Sequence, residues 1–430
     1  MDQTILLNVL RSEIERSTGC TDPGSVALAV ARATRELGTL PEQISVTVSP
    51  NVFKNGISVG VPGTGKRGLG IAAALGAVIN RSDAGLAIFD HVTPAALAQA
   101  NALLAAERVR VRSADTPDPL YIRAQVSAGD THAHAIIVGD YSNIVQVARN
   151  DTIVFSAPNI PAIVTEEILM QHSLDTLFAL IETIPPGELE FLIHAAEINY
   201  QAAQVGLSDP TMKLGRALDR RGAALPTSLA AMHTAQVWTA AATEARMRGL
   251  VVPIMAITGS GNHGIANFLG VRAVADTLGS PRDKLACALA RSSVVTVLIK
   301  GYLSRMTAVC GCSVAASAGI AAGTVYLLGG DYAQSVMAMQ SVIGTLAGMI
   351  CDGANESCAY KVSSSVAQAV QFAFAAMQGA AIPADTGIVG HTLEATLENL
   401  GQLNNPGMMA TDQLVLRLIE KNIHPPSGVF

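Results

Sequence analysis

The chain has 430 residues, of which 50 % are hydrophobic, 4 % aromatic and 14 % charged, with a net charge of −6. The length allows two or three domains. With so few aromatics the core must be built from Ala, Val, Leu, Ile and Met, which suits closely packed helices. The low charge content points to much hidden surface in a helical core, an oligomer interface or both, so a homo-oligomer is expected. The acidic balance, without a basic stripe or an aromatic-rich RNA motif, argues against nucleic acid as a partner.

The start, Met1-Asp2-Gln3-Thr4, has neither a basic n-region nor a secretory apolar core,. Six cysteines in a large acidic chain without a signal peptide imply the reducing cytoplasm, with free or metal-bound thiols,. Met306 to Gly330 and Tyr332 to Cys351 are uncharged and reach bilayer length,. The first is full of Gly, Ser and Ala, and neither has flanking Trp or a one-sided Lys/Arg cluster, so both read as buried helices and no membrane partner is expected.

Apolar spacing predicts a helix over 2–17 and an Ala-rich helix over 25–37, with Pro23 at its start. Residues 44–48 alternate as a strand, and 56–61 read as a second one. Helices follow over 68–79 and 93–107, then strands over 109–113, 120–126, 132–138, 143–147 and 152–155. Ala157-Pro158-Asn159-Ile160-Pro161 marks a boundary. Beyond it the period is helical: 164–184, 188–207, 212–221, 228–248, 264–278, 282–303, 313–328, 333–350, 362–377, 387–400 and 408–421. The expected fold class is α+β, with an N-terminal α/β substrate-binding domain over 1–157. A large all-helical domain over 162–430 would carry a cysteine site.

That site rests on Cys312, in Cys310-Gly311-Cys312-Ser313-Val314-Ala315-Ala316, and on Cys351 and Cys358, in Cys351-Asp352-Gly353-Ala354-Asn355-Glu356-Ser357-Cys358. Three thiols among Ala, Gly, Ser and Val, with no His near them in sequence, suit an iron–sulfur cluster better than zinc. Three protein ligands would leave one iron open to a substrate. The competing reading is ordinary small buried residues. Cys287 reads as core, and Cys310 could substitute for Cys312. Cys20, in Gly19-Cys20-Thr21-Asp22-Pro23, precedes a helix start, where the dipole lowers a thiol pKa and makes a nucleophile or base; otherwise this is a capping loop with Thr21 or Asp22 as N-cap. Lys54-Asn55-Gly56 and Gly60-Val61-Pro62-Gly63-Thr64-Gly65-Lys66-Arg67 nearly match a P-loop, but Arg67 stands where a magnesium-binding hydroxyl belongs. A plain turn or a small-carboxylate site remains there. Thr258-Gly259-Ser260-Gly261-Asn262-His263-Gly264 reads as a helix cap or as an amino-acid carboxylate site.

Taken together, Gly19-Cys20-Thr21-Asp22-Pro23, Lys54-Asn55-Gly56, Val61-Pro62-Gly63-Thr64-Gly65, Thr258-Gly259-Ser260-Gly261-Asn262 and the three cysteine segments resemble the L-cysteine desulfidase family, also described as serine dehydratase alpha-chain-like. The resemblance spans almost the whole chain. It implies an oxygen-sensitive [4Fe-4S] cluster on Cys312, Cys351 and Cys358, and β-elimination on a small β-substituted L-amino acid. Cys20 falls at the family's catalytic cysteine, and the Ser-small-Ala-Ala run selects Cys312 over Cys310. The family often has Glu in place of Asp22 and Lys in place of Asn355, which leaves substrate preference open. The expected activity is conversion of L-cysteine to pyruvate, ammonia and hydrogen sulfide. L-Serine dehydration is the alternative, and a non-catalytic amino-acid- or metal-binding protein the alternative of another class. Cys20 would be the base. Thr21, Asp22, Thr258, Ser260 and Asn262 would bind substrate, with Lys54 and Asn55 closing a cleft between the domains.

Overall fold

The computed structural model describes residues 1–116, 118–157, 165–219 and 225–423. The strands are β1 (Ile14–Thr18), β2 (Gln43–Val48), β3 (Val109–Ser113), β4 (Tyr121–Ala128), β5 (Thr131–Val138), β6 (Ile144–Arg149), β7 (Thr152–Ser156) and β8 (Pro253–Ile257). A six-stranded sheet runs in the order β3-β2-β4-β5-β6-β7. The β2–β3 pair is parallel and the others antiparallel. Period-2 alternation places Ile122, Ala124 and Val126 of β4 and Ala133, Ala135 and Ile137 of β5 on the buried face,. The helix Thr21–Leu37 packs across that face, with the helix Leu69–Ile79 beside it. At the open edge, β7 leaves Ile153, Val154 and Phe155 exposed.

The second half is a helical body. Helix Gly311–Leu327 is its centre, packed by Gly261–Leu278, Arg282–Leu303, Tyr332–Leu346 and Ser357–Ala376. Its Ala- and Gly-rich sequence lets neighbours approach closely, which explains a large core with so few aromatics. Among the described residues one helix, Arg282–Leu303, is long and apolar enough to cross a membrane, and 83 % of its apolar window is buried inside the protein.

Three expectations need correction. The second half is not all helical, because β8 pairs antiparallel with β1. With that pairing, the helix Gln3–Glu13 goes to the helical body: Leu6, Val9 and Leu10 share its core with Leu177, Phe268 and Val295. Residues 1–18 therefore lie apart from the sheet that follows them. The strand expected over 56–61 is also absent. Pro50 starts the short helix Pro50–Gly56 directly after β2, and Gly60 N–H donates to Met247 O (3.0 Å),. Finally, the helix expected over 164–184 is two, Thr165–Met170 and Leu174–Glu182, with Ser173 capping the second through Thr176 N–H. The expected boundary segment from Pro158 lies outside the described residues.

The halves interlock. Met306, from the loop after Arg282–Leu303, is buried in the core of the sheet half. Arg305 next to it holds Glu13 with two bonds of 2.9 and 2.8 Å, and Glu166 at 3.3 Å.

Candidate active site

Two turns bring the cysteines together. The backbone bridge Val309–Ile350, with bonds from Cys310 N–H to Met349 O and from Cys351 N–H to Ala308 O (both 2.7 Å), joins the segments that carry Cys310 and Cys351. Cys310 caps the helix carrying Cys312, and the helix Ser357–Ala376 carries Cys358 in its first turn. Asn404 fixes this arrangement from behind. Its side-chain oxygen accepts from Ala308 and Val309 N–H (3.0 and 3.2 Å) and its amide donates to Leu303 O (3.1 Å), all buried.

The four thiols feel one another electrostatically. Burial, then the charges of Cys310 and Cys351, push Cys358 up to about 12. Cys310 is brought down, first by its coupling to the neighbouring Cys312 thiol and then by Ser313, whose hydroxyl donates to its sulfur at 3.2 Å. Cys312 rises correspondingly. Lys54 and Lys361 oppose the rise at Cys351. Lys300 is itself buried and lowered to about 8 by desolvation and by Arg305. Among the described residues, no three His, Cys, Asp or Glu side chains already stand in a metal-holding arrangement. In donor chemistry the set nevertheless fits an iron–sulfur cluster: soft thiols gathered in one place, with lysines around them to offset thiolate charge.

The turn over 258–263 meets these cysteines. Ser260 Oγ lies 4.0 Å from Cys312 Sγ. A Cβ on Gly311 would stand 2.6 Å from His263 Nε2, so only glycine lets the imidazole approach there. The His263 ring thus adjoins the cysteines, although no His is near them in sequence. Burial and then Lys300 hold it well below its ordinary pKa, and it stays neutral. Thr258 sits in the left-handed region at φ 52°, unusual for a β-branched residue,. Its hydroxyl, 2.7 Å from both Ile257 O and His263 Nδ1, secures the turn. Ser260 caps the helix Gly261–Leu278 through His263 N–H (3.4 Å), and Asn262 Oδ1 accepts from Arg246 Nη1 (2.8 Å). The side chains of Thr258, Ser260 and Asn262 are therefore committed to internal bonds. What the turn offers a ligand is the first backbone N–H groups of the helix.

Cys20 is the cap residue of Thr21–Leu37 and shares a small apolar cluster with Val59, Met247, Ala354 and Cys358. Its thiol does not follow the helix dipole. Burial, then the charge of Asp22, push it up to about 12. The responsive group is Asp22, whose carboxyl burial brings up to about 7. Cys20 Sγ–H donates to Asp22 Oδ2 and Asn55 Nδ2 donates to Oδ1, both at 3.5 Å. Thr21 is buried next to them, and Arg246 braces the loop by donating to Gly19 O (3.1 Å). Lys54 is buried and paired with Asp412. Its own carbonyl lies so close to Gly353 that a Cβ there would stand 2.4 Å away. Cys287, half-buried, packs against the helical core. Sequence reasoning missed Arg246, Lys300, Asn404 and Asp412, single polar residues inside helices or turns with no motif around them.

Fold and site define an α+β protein with a thiol-rich site where a sheet half meets a helical body. Residues 83–417 match the family described as "Serine dehydratase alpha chain", and the chain belongs to that family. Its relatives include a "UPF0597 protein" of Methanocella arvoryzae, 55 % identical over 419 residues, covering 97 % of this chain and 99 % of the relative. The "UPF0597 protein YhaM" of Salmonella enteritidis is 38 % identical over 435 residues, covering 98 % of each. A "UPF0597 protein" of Aeromonas hydrophila is 35 % identical over 419 residues, covering 97 % of this chain and 96 % of the relative. The family indicates a serine-dehydratase-like lyase.

Proposed function

We propose that the protein is an iron–sulfur-dependent β-elimination lyase that converts L-cysteine to pyruvate, ammonia and hydrogen sulfide. The observation that carries this reading is the convergence of two groups of side chains. Cys310, Cys312, Cys351 and Cys358 gather around two backbone-paired turns, and the Cys20–Asp22 pair joins them through the contact cluster of Cys20 with Cys358. Cys312, Cys351 and Cys358 would hold a [4Fe-4S] cluster, which supplies a Lewis acid for the leaving group when bound.

The chain's own residues supply the proton chemistry. Asp22, brought up to about 7, can take or return a proton near neutrality, as a general base must,. Cys20 already donates its thiol proton to that carboxylate. As Asp22 takes the thiol proton, the sulfur takes the proton from the substrate Cα, so Cys20 acts as a relay. Loss of the Cα proton and of hydrosulfide, together one hydrogen sulfide, leaves aminoacrylate. It tautomerises to the imine, and water releases pyruvate and ammonia. The N–H groups opening the helix Gly261–Leu278 and the Lys54 ammonium are the seats for the substrate carboxylate. Asn55 and Thr21 hold Asp22 in place.

The family description favours a second reading, dehydration of L-serine by the same residues. The protein would work in the cytoplasm as a homo-oligomer, and the exposed apolar edge of β7 supports the association,. Anaerobic reconstitution with iron and sulfide, followed by assay of pyruvate and sulfide from L-cysteine and L-serine, tests the proposal. Ligand-induced stabilisation without product would instead mark a binding protein.

A further inference from the structure

Arg246 is a buried cation without a counter-ion. It lies in the last turn of the helix Thr227–Met247 and is 2 % exposed. Its Nε donates to Gly19 O (3.1 Å) and its Nη1 to Asn262 Oδ1 (2.8 Å). Among the described residues Nη2 has no hydrogen-bond partner, and no carboxylate pairs with the guanidinium. Arg291 and Arg305, both less buried, pair with Glu182 and with Glu13 and Glu166. The carbonyl end of its own helix offsets part of the charge of Arg246. Asp22 does not supply the rest: a carboxylate paired with Arg246 would be held low, whereas burial brings Asp22 up to about 7,. The guanidinium rests on a helix opening. A Cβ on Gly261 would stand 2.5, 2.7 and 2.8 Å from Arg246 Nε, Cζ and Nη2, so only glycine at the first position of the helix Gly261–Leu278 admits it. There His263 N–H goes to Ser260 Oγ (3.4 Å) and Gly264 N–H to Ser260 O (3.2 Å). The N–H groups of Gly261 and Asn262 have no partner among the described residues,. One charged donor and two backbone donors thus stand free at the same place.

We propose that Arg246 is the residue that restricts the substrate to free α-amino acids: its Nη2 edge, with the N–H groups of Gly261 and Asn262, holds the α-carboxylate. The inference rests on the reading of this helix opening as the carboxylate seat, and it supplies the charge that seat needs, because Lys54 is already neutralised by Asp412. A planar carboxylate matches the donor geometry of a guanidinium, and its charge compensates a cation that otherwise stands buried and alone. Position serves the chemistry as well. Arg246 Nε is bonded to Gly19 O, and Gly19 directly precedes Cys20. A carboxylate beside Arg246 therefore leaves Cα, one bond away, on the Cys20 side of the seat. An amide or ester in the same place leaves the buried charge uncompensated, so amino acids with a blocked carboxyl group, and amines without one, are rejected.

The test compares L-alanine, which has no β leaving group and so reports binding without turnover, with L-alaninamide, which carries a neutral amide in place of the carboxylate. Both are titrated calorimetrically into the full-length, anaerobically reconstituted protein. The wild type should bind L-alanine about tenfold to a hundredfold more tightly than L-alaninamide, the ratio a charge-assisted pair provides. Arg246→Gln should bring L-alanine down to the affinity of L-alaninamide, and Arg246→Lys should recover part of the preference. Gly261→Ala keeps the charge but pushes the guanidinium off the helix opening, so it should weaken L-alanine and leave L-alaninamide unchanged; it carries the test should Arg246→Gln fail to fold. A preference for L-alanine that survives Arg246→Gln or Gly261→Ala would overturn the inference, as would a wild type that binds neither ligand or binds both alike. Because alanine cannot eliminate, a wild type that shows the preference but forms no pyruvate refutes the lyase reading alone. A wild type that forms pyruvate without the preference refutes the role of Arg246 alone.

Discussion

Gly353→Ala should loosen the junction between the cysteine loop and the helix that carries Lys54. Gly353 has φ 86° and a Cβ there would meet Lys54 O at 2.4 Å and Lys54 C at 3.2 Å. An L-residue in the left-handed region costs about 1–2 kcal/mol. The backbone clash adds about 1–3 kcal/mol, the range for overpacking a site that cannot relax freely. Relaxation is restricted here because the helix Pro50–Gly56 follows directly on β2 and its Lys54 is tied to Asp412. The expected loss is about 2–5 kcal/mol. Gly379→Ala is the control, with φ 75° and nothing within 4 Å of its Cβ, so it carries the conformational cost alone. Urea unfolding of both variants under reducing, anaerobic conditions measures the difference, and maleimide labelling should find Cys351 and Cys358 more reactive in Gly353→Ala. Equal stabilities for the two variants, with unchanged labelling, would refute the close approach of Gly353 to the Lys54 backbone.

Asp22 gives a pH prediction. As a general base it must be ionised, so log kcat/KM should rise with pH and level off above about 7,. Asp22→Asn should remove that limb and lower turnover by about a hundredfold or more, as should Cys20→Ala; near-normal activity in either would break the relay. The same raised carboxyl pKa gives stability that is full below its ordinary value of 3.8 and declines as pH rises to about 7, a slope that Asp22→Asn should flatten in denaturation measured against pH,. Replacing Cys312, Cys351 or Cys358 by Ser should strip most of the iron from anaerobically reconstituted protein, whereas Cys310→Ser and Cys287→Ser should retain it; iron analysis showing two of the three to be dispensable would discard the ligand set. Asn404→Ala leaves two buried N–H groups and a carbonyl without partners and should cost about 3 kcal/mol or more by urea denaturation,.

Strands β3 to β6 were readable because alternation is a local property and each has one face on the core, while the exposed edge strand β7 showed only as a short β-branched run, Thr152-Ile153-Val154,. The helix Arg282–Leu303, opened by Pro281, was readable too. β8 was not readable: it is short, begins with Pro253, and is a strand because β1, far away in the chain, pairs with it. For the same reason nothing in residues 3–13 shows that their apolar stripe belongs to the helical body. The cysteines and glycine-rich turns stood out by motif, and the structure brings them together. The thiol pKa of Cys20 did not follow from its place at a helix start, because burial outweighs the dipole and only the tertiary fold reveals burial,. Asp412 could not be paired with Lys54 from sequence, since an acidic residue on an amphipathic helix looks like any solvated one.

β-Elimination at the thiol-rich site is the chemistry that decides the protein's function. Its most direct test is product analysis of anaerobically reconstituted protein supplied with L-cysteine or L-serine in parallel. Pyruvate and sulfide should appear together in equal amounts from L-cysteine, at a rate exceeding pyruvate release from L-serine and lost on exposure to air. Iron-loaded protein that forms no pyruvate from either amino acid would contradict that chemistry.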